Sequence, residues 1–503
     1  MNLYHALYAD RDPAGVALGV PGAATYTTAV LVDQIGRYAA ALHALGVRQG
    51  DRVSFKLEKA PEIIFLAHAC IQLGAILHPL NTAYTDQEIA YLLGDAEPAL
   101  FVCDPEEKDR FENTAAQANS RLETLSAGGG GTLGALASQQ QRRQEIADLD
   151  ADATAAILYT SGTTGKPKGA QITHRNLAES ARALASVWRL GRSDALLHAL
   201  PVYHAHGLLT AINTMLAAGG SILFLPRFDA GEVIVALPAA TLIMGVPTHY
   251  ARLLREPGFA EALRPTFRLA ISGSAPLPLE LAAQFVQRTG RHIIERYGST
   301  EAAIVTAVPD SAGDRTGWVG WPLPGVEVRV AAPDGTRAQR SATGALETRG
   351  HNVFSGYWKR PEADREAFTP DGWFVTGDVA EIDGTGCVRL LDRSKDLIIS
   401  GGLNVYPREV ESVLDTLSGI AQSAVFGAPH PDFGEAVAAV VELETGAGFD
   451  EAAAIAAAKT RLAAYKVPKR ILAVNEIPRN RMGKVLKAEL RANYRSLFVP
   501  VKT

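Results

Sequence analysis

The sequence predicts an α/β protein in two domains, a large N-terminal α/β domain over residues 1–393 and a small C-terminal α+β domain over 394–503. Three observations carry this expectation. At 503 residues the chain exceeds the length at which a single hydrophobic core stops growing. Up to about residue 390, helical stretches alternate with short apolar runs, the rhythm of strands covered by helices. Beyond that point the pattern condenses into a small strand-and-helix unit of its own.

Taken in order, Val32–Leu45 carries helical periodicity, while Arg52–Leu57 and Ala99–Cys103 are short enough and apolar enough to be strands. The apolar window from Ile63 to Leu80 is interrupted by His68, Gln72 and His78, and reads as core elements rather than a membrane span. Ser126–Glu145, with four consecutive glycines followed by a Gln- and Arg-rich run, is expected to be a surface loop. Its Gly129, Gly131 and Gly134 satisfy GxGxxG, but with no strand expected before them and polar sequence after, the dinucleotide-binding context is missing. Ala155–Tyr159 reads as a strand, and Leu177, Leu184 and Trp188 share one face of a helix. In the last hundred residues the pattern predicts a strand at Leu397–Ser400, a helix from about Pro407, strands near Ala421–Phe426 and Ala436–Leu443, and a helix within 450–464. From Lys466 onward the chain carries ten Lys or Arg residues against Glu476 and Glu489. Two readings of this run stand side by side: a solvated face, or a surface from which one basic residue swings onto a phosphate.

Composition excludes several classes. Hydrophobic residues make up 47% and charged residues 20%, close to the globular average, so a large buried core is expected. A formal net charge of -5 gives no global basis for binding nucleic acid. Cys70, Cys103 and Cys387 are too few and too scattered for a disulfide framework or a paired-cysteine metal site. The first residues lack the basic flank and apolar stretch of a signal peptide, so a cytoplasmic protein with no membrane partner is expected.

The strongest local signal is Tyr159-Thr-Ser-Gly-Thr-Thr-Gly-Lys-Pro-Lys-Gly169, between the run ending at Tyr159 and the helical pattern beyond. Its glycines let backbone N–H groups approach an anion, the hydroxyls of Ser161, Thr163 and Thr164 can donate to it, and Lys166 and Lys168 add charge. It is not a Walker A loop, because two residues rather than four separate Gly162 from Gly165, and Pro167 follows Lys166. The loop resembles the signature of the acyl-adenylate-forming superfamily, which includes acyl-CoA synthetases, luciferases and the adenylation domains of peptide synthetases.

The resemblance recurs in the same order through almost the whole chain, and implies a large N-terminal domain of acyl-adenylate-forming type with a mobile C-terminal lid. It implies ATP contacts at Thr160, Ser161, Gly162, Thr163, Thr164, Gly165, Lys166 and Lys168. Ser272-Gly-Ser274-Ala275-Pro276 is similar to the adenine-side loop, and Glu295, Arg296 and Tyr297 are further implied ATP contacts leading into Tyr297-Gly-Ser-Thr-Glu301, where Thr300 would meet the α-phosphate and Glu301 would hold Mg²⁺. A divalent cation suits the chemistry, since the charge of ATP must be partly neutralised before a carboxylate attacks it. Asp378 matches a ribose contact, as does Arg393, although Asp392 stands where the family usually has glycine. Lys395 matches the hinge, Gly401 and Gly402 the loop beside the coenzyme A tunnel, and Lys484 the lysine that binds the attacking carboxylate and the α-phosphate.

The implied reaction makes an acyl-adenylate from ATP and then transfers the acyl group to the thiol of coenzyme A. No nucleophilic side chain is required, and the sequence holds no GxSxG elbow and no HExxH. The acyl pocket is read from Arg296, His206 and Arg252. A buried arginine is costly unless paired, and a second carboxylate on the substrate would supply a bidentate partner. This combination closely resembles malonyl-CoA synthetases, implying malonate or methylmalonate as substrate. The alternatives are that Arg296 pairs with Glu295 or Glu301, and that the acid is a monocarboxylate such as an aryl or medium-chain acid. Because Lys484 must be charged, a lysine acetyltransferase acting on it would silence adenylation.

Overall fold

The structure is a computed structural model that describes residues 1–503 apart from 162–165, 276, 278, 333–334, 394–397, 406, 479–484 and 499–503. It divides into two compact units, one gathering Met1–Thr82, Leu93–Leu158 and Gly169–Asp392, the other Ala83–Leu92, Tyr159–Lys168 and Arg393–Thr503. Among the described residues no helix is long and apolar enough to cross a membrane.

Most of a six-stranded sheet lies in the first unit, in the order Arg121–Thr124, Leu100–Cys103, Arg52–Lys56, Ile76–Pro79, Thr154–Ser161, Pro167–Thr173. Leu100–Cys103 and Ile76–Pro79 flank Arg52–Lys56 as parallel neighbours. Parallel strands are covered on both faces, which is why Leu100–Cys103 is a continuous apolar run buried at every position. The helix Pro61–Leu73 begins with proline in its first turn and ends on Gly74 at φ 71°, the two residues that start and stop a helix most cheaply. It is buried along most of its length, so the apolar window from Ile63 is core.

The glycine-rich segment departs from expectation. A strand, Arg121–Thr124, precedes it, and Thr132–Gln139 is a helix whose Leu133 and Ala137 are buried one turn apart. Polar composition hid an amphipathic turn. The loop is nevertheless no dinucleotide cradle, because the backbone N–H groups of Gly128 and Gly129 already bond the buried carboxylate of Glu62.

A nine-stranded sheet forms the rest of the unit's centre, in the order Trp321–Pro322, Ala303–Ala307, Ile293–Ser299, Leu269–Ser272, Leu242–Gly245, Ala195–His198, Ser221–Phe224, Val16–Gly19, Thr25–Thr27. From Ile293–Ser299 to Val16–Gly19 the neighbours are parallel. A five-stranded antiparallel sheet includes Phe374–Ile382 and Val388–Arg393.

The second unit carries a five-stranded sheet in which Gly434–Leu443 pairs antiparallel with Ile420–His430 and parallel with Arg470–Val474. Helices Pro407–Leu414, Glu451–Lys459 and Lys487–Asn493 accompany it. The basic run from Lys466 is partly structural. Lys466 is buried with its Nζ 2.7 Å from Glu409 and 2.9 Å from Glu88, and Lys487 sits 2.6 Å from Glu411.

Candidate active site

In a parallel sheet all carboxyl ends emerge on one edge, where loops rather than side chains cover the strands and ligands bind. In the nine-stranded sheet that edge is marked by the register pairs His198–Phe224, Gly245–Ser272 and Ser272–Glu295. The residues that follow those strand ends include His204, His206, His249, Gly273, Ser274 and Arg296.

Alternation along Ile293–Ser299 sends Glu295 and Arg296 to opposite faces. Glu295 accepts a hydrogen bond from the Leu277 N–H at 3.3 Å through Oε2, while its Oε1 is buried without a partner. Burial pushes its pKa up to about 7, opposed by backbone hydrogen bonds from Leu277 and Gly317. Arg296 is 7% exposed, and its Nε and Nη2 are buried with no hydrogen-bond partner. Burial lowers its pKa to about 10, so it stays charged at neutral pH. Among the described residues no carboxylate pairs with it, which removes the alternative of an internal partner in Glu295 or Glu301.

His206 opens a π-helical segment, His206–Ile212, the kind of distortion that re-aims side chains at functional sites. Its Nδ1 lies 3.1 Å from Ser274 Oγ, its backbone N–H donates to His204 Nδ1 at 3.2 Å, and its Nε2 is buried without a partner. Burial, then the charge of Arg296, hold the imidazole well below its usual pKa, so it is neutral. Ser274 has φ 68°, a left-handed conformation that a serine adopts only where its surroundings enforce it. Arg252 lies on the helix Pro247–Leu253 with its side chain exposed, so its cost of carrying charge is small.

Tyr297 donates its hydroxyl to Asp378 Oδ2 at 2.6 Å, and both side chains are buried. Asp378 lies within a strand, Phe374–Ile382. Beyond Tyr297, a Cβ on Gly298 would stand 1.8 Å from the Ala303 carbonyl oxygen, so only glycine allows the strands to close there. Thr300 is half-buried, and Glu301 Oε1 accepts from the Tyr357 hydroxyl at 3.2 Å. Glu301 offers a carboxylate of the kind Mg²⁺ takes one or two of alongside phosphate oxygens.

The phosphate-loop motif also departs from expectation. It joins two strands, Thr154–Ser161 and Pro167–Thr173, and the helix His174–Val187 begins only after the second, capped by Thr173. Alternating small and apolar residues after Lys168 favour a strand there rather than the start of a helix. Thr160 is buried, Lys168 half-buried, and Lys166 exposed with its Nζ 5.9 Å from the centre of the Tyr91 ring. Ser161 closes the first strand, Arg393 closes Val388–Arg393, and Ala275 is half-buried. Gly401 and Gly402 have φ of 59° and 81°, which explains glycine at both. Gly162, Thr163, Thr164, Gly165, Pro276, Lys395 and Lys484 lie outside the described residues.

Residues 7–358 match the AMP-binding enzyme family, and 409–484 match the AMP-binding enzyme C-terminal domain. The chain belongs to the AMP-binding enzyme family. Within it the chain is an acyl-CoA ligase of the AMP-forming type, similar to proteins with different acids. Feruloyl-CoA synthase of Amycolatopsis sp is 36% identical over 479 residues, 94% of this chain and 95% of that protein. The crystal structure of apo MatB from Rhodopseudomonas palustris is 44% identical with a TM-score of 0.77, covering 99% of both chains. A malonyl-CoA ligase solved as a ternary product complex with methylmalonyl-CoA and AMP is 32% identical with a TM-score of 0.81, covering 95% of this chain and all of that one, 100%. The large α/β N-terminal domain and the smaller C-terminal domain are the fold of this acyl-adenylate-forming superfamily.

Sequence reasoning passed over several residues of the ligase's strand edge. His198 ends a parallel strand and His249 lies close behind another, and Lys59 Nζ donates to the His198 carbonyl at 2.9 Å while covering the Phe224 ring at 4.4 Å. Burial lowers the Lys59 pKa well below the usual lysine value. The signal available in sequence was a histidine one or a few residues beyond an apolar run, too common to single out.

Proposed function

We propose that this ligase activates a short dicarboxylic acid of the malonate class, malonate or methylmalonate, and transfers it to coenzyme A. The observation that carries the reading is the Arg296 guanidinium, charged, buried and with Nε and Nη2 unpartnered. A carboxylate accepts two parallel N–H bonds from such a fork, which would offset the desolvation of the buried charge. Neutral His206 adds a hydrogen-bonding wall without further charge. The likeness to a malonyl-CoA ligase agrees with this acid. The likeness to feruloyl-CoA synthase favours a second reading, an aryl or medium-chain monocarboxylate.

In the proposed reaction one carboxylate oxygen attacks the α-phosphorus of ATP, the bond to pyrophosphate breaks, and acyl-AMP forms. The coenzyme A thiol then attacks the acyl carbon and AMP leaves. Residues 159–168 would surround the phosphates, Ser274, Ala275 and Pro276 the adenine, and Asp378, oriented by Tyr297, the ribose together with Arg393. Thr300 and Lys484 would meet the α-phosphate, where a lysine's point charge stabilises the charge that develops in the transition state. Glu301 would hold Mg²⁺, which neutralises phosphate charge. Residues 394–503 would form the mobile lid hinged at Lys395, with Gly401 and Gly402 beside the coenzyme A tunnel, and Arg252 at the rim of the acyl pocket. A cytoplasmic enzyme fits this use of ATP and coenzyme A.

The test is acid-dependent AMP release with ATP, Mg²⁺ and coenzyme A, comparing malonate, methylmalonate, succinate, acetate and benzoate. Turnover confined to the short dicarboxylates is the expected result. Preference for acetate or benzoate would overturn the dicarboxylate reading and favour the second.

A further inference from the structure

Arg296 occupies its buried position because residue 273 has no side chain. A Cβ on Gly273 would lie 2.5 Å from Arg296 Nε, 2.6 Å from Cζ and 2.9 Å from Nη2. Three distances so alike put that Cβ over the face of the guanidinium plane. An approach along the Nε–Nη2 edge would leave Cζ farther away than either nitrogen. The N–H bonds lie in the plane, so both are directed past Gly273 and remain available to a ligand.

Gly273 is not among the residues with positive φ, so the position requires the absence of a side chain and not a glycine's backbone freedom. Its N–H donates to the Gly245 carbonyl at 3.2 Å, which anchors the backbone to the neighbouring strand. An added methyl therefore cannot be relieved by moving the strand end, whereas the guanidinium is the far end of a flexible side chain and can leave. The next residue, Ser274, bonds His206. Consecutive residues of one loop thus seat both polar groups at this edge.

We propose that Gly273 is a specificity-determining residue for the acid: it sets Arg296 in the acyl pocket, and any larger residue there expels the guanidinium and with it the recognition of a second carboxylate. The proposal rests on the dicarboxylate reading for its consequence in catalysis, but not for the contact itself.

Two double-mutant cycles with Gly273→Ala and Arg296→Met separate these parts. In kinetics, Gly273→Ala should raise the KM for malonate by roughly tenfold or more, a larger change than in the KM for ATP, and cause no further loss in the Arg296→Met background. In thermal unfolding without ligand, Gly273→Ala should shift the Tm of the wild type but not that of Arg296→Met. Additive kinetic losses, or a raised KM for ATP with malonate unaffected, would overturn the specificity role. Additive shifts in Tm would overturn the contact. Failure of the wild type to use any dicarboxylate would refute the dicarboxylate reading, and the melting cycle would still decide whether Gly273 seats Arg296.

Discussion

Replacing Arg296 with methionine should make the protein more stable and less active, two effects of opposite sign with one cause. Burial lowers the arginine's pKa from its ordinary value to about 10, so holding it charged in the ligand-free fold costs on the order of 3 kcal/mol. Methionine fills similar volume without charge or unpartnered donors, and the ligand-free variant should gain about 1–3 kcal/mol after imperfect packing is allowed for. With a dicarboxylate bound, the wild type recovers that cost through paired N–H bonds, while the variant has nothing to offer. Removing one partner of such a buried pair costs ~2–5 kcal/mol, which is roughly a 30- to several-thousand-fold loss in kcat/KM for malonate. Acetate activity, lacking the second carboxylate, should be nearly unchanged. The assays are AMP release with malonate and with acetate, and chemical denaturation of the ligand-free proteins. Malonate turnover that survives the substitution, or stability that falls with it, would refute the reasoning, since either would mean that the guanidinium is not an uncompensated charge awaiting an anion.

Three other outcomes follow from neighbouring residues. Glu295 has a folded pKa of about 7 against an ordinary 4.5, so between those values the fold holds a proton that the unfolded chain has released, and stability declines as pH rises through 7. Glu295→Gln should abolish that decline, leaving the variant ahead of the wild type by on the order of 3 kcal/mol near pH 8 and level with it near pH 4.5, as read by denaturation across pH; parallel profiles would contradict it. Tyr297→Phe deletes the 2.6 Å bond to Asp378 and should raise the KM for ATP about tenfold, from a loss of ~1.5 kcal/mol; an unchanged KM would mean that Asp378 needs no orienting. Acetylation of Lys484 by a lysine acetyltransferase should abolish ATP–pyrophosphate exchange in proportion to the modified fraction measured by mass spectrometry, and full exchange by fully acetylated protein would sink that idea.

Much of the fold was legible because its signals are local. The parallel strands Arg52–Lys56 and Leu100–Cys103 are apolar runs of strand length, and the helix from Pro407 and the strands Ile420–His430 and Gly434–Leu443 are signalled in the same way, with ends beyond the expected ones. The failures came where composition and packing disagree. Thr132–Gln139 looks like a loop because four glycines precede it and a polar run follows, yet two apolar residues a turn apart were enough to dock a helix. Pro167–Thr173 was missed because a lysine-rich motif masked a short alternation that the neighbouring strand extends. Lys466 read as a surface charge because nothing local reveals Glu88 and Glu409.

By itself the sequence determined the chemistry on offer: the order of the motifs, the glycines at 401 and 402, and the arginine at 296. Only the tertiary structure decided what those residues do for one another. It left Arg296 without a carboxylate although Glu295 is its neighbour in sequence, because alternation along a strand sends adjacent side chains to opposite faces. It brought Tyr297 to Asp378, 81 residues away, and seated the Arg296 guanidinium against Gly273. A residue's type is written in the chain, whereas its burial and its partners arise from packing between segments far apart in sequence, and those set charge, pKa and affinity.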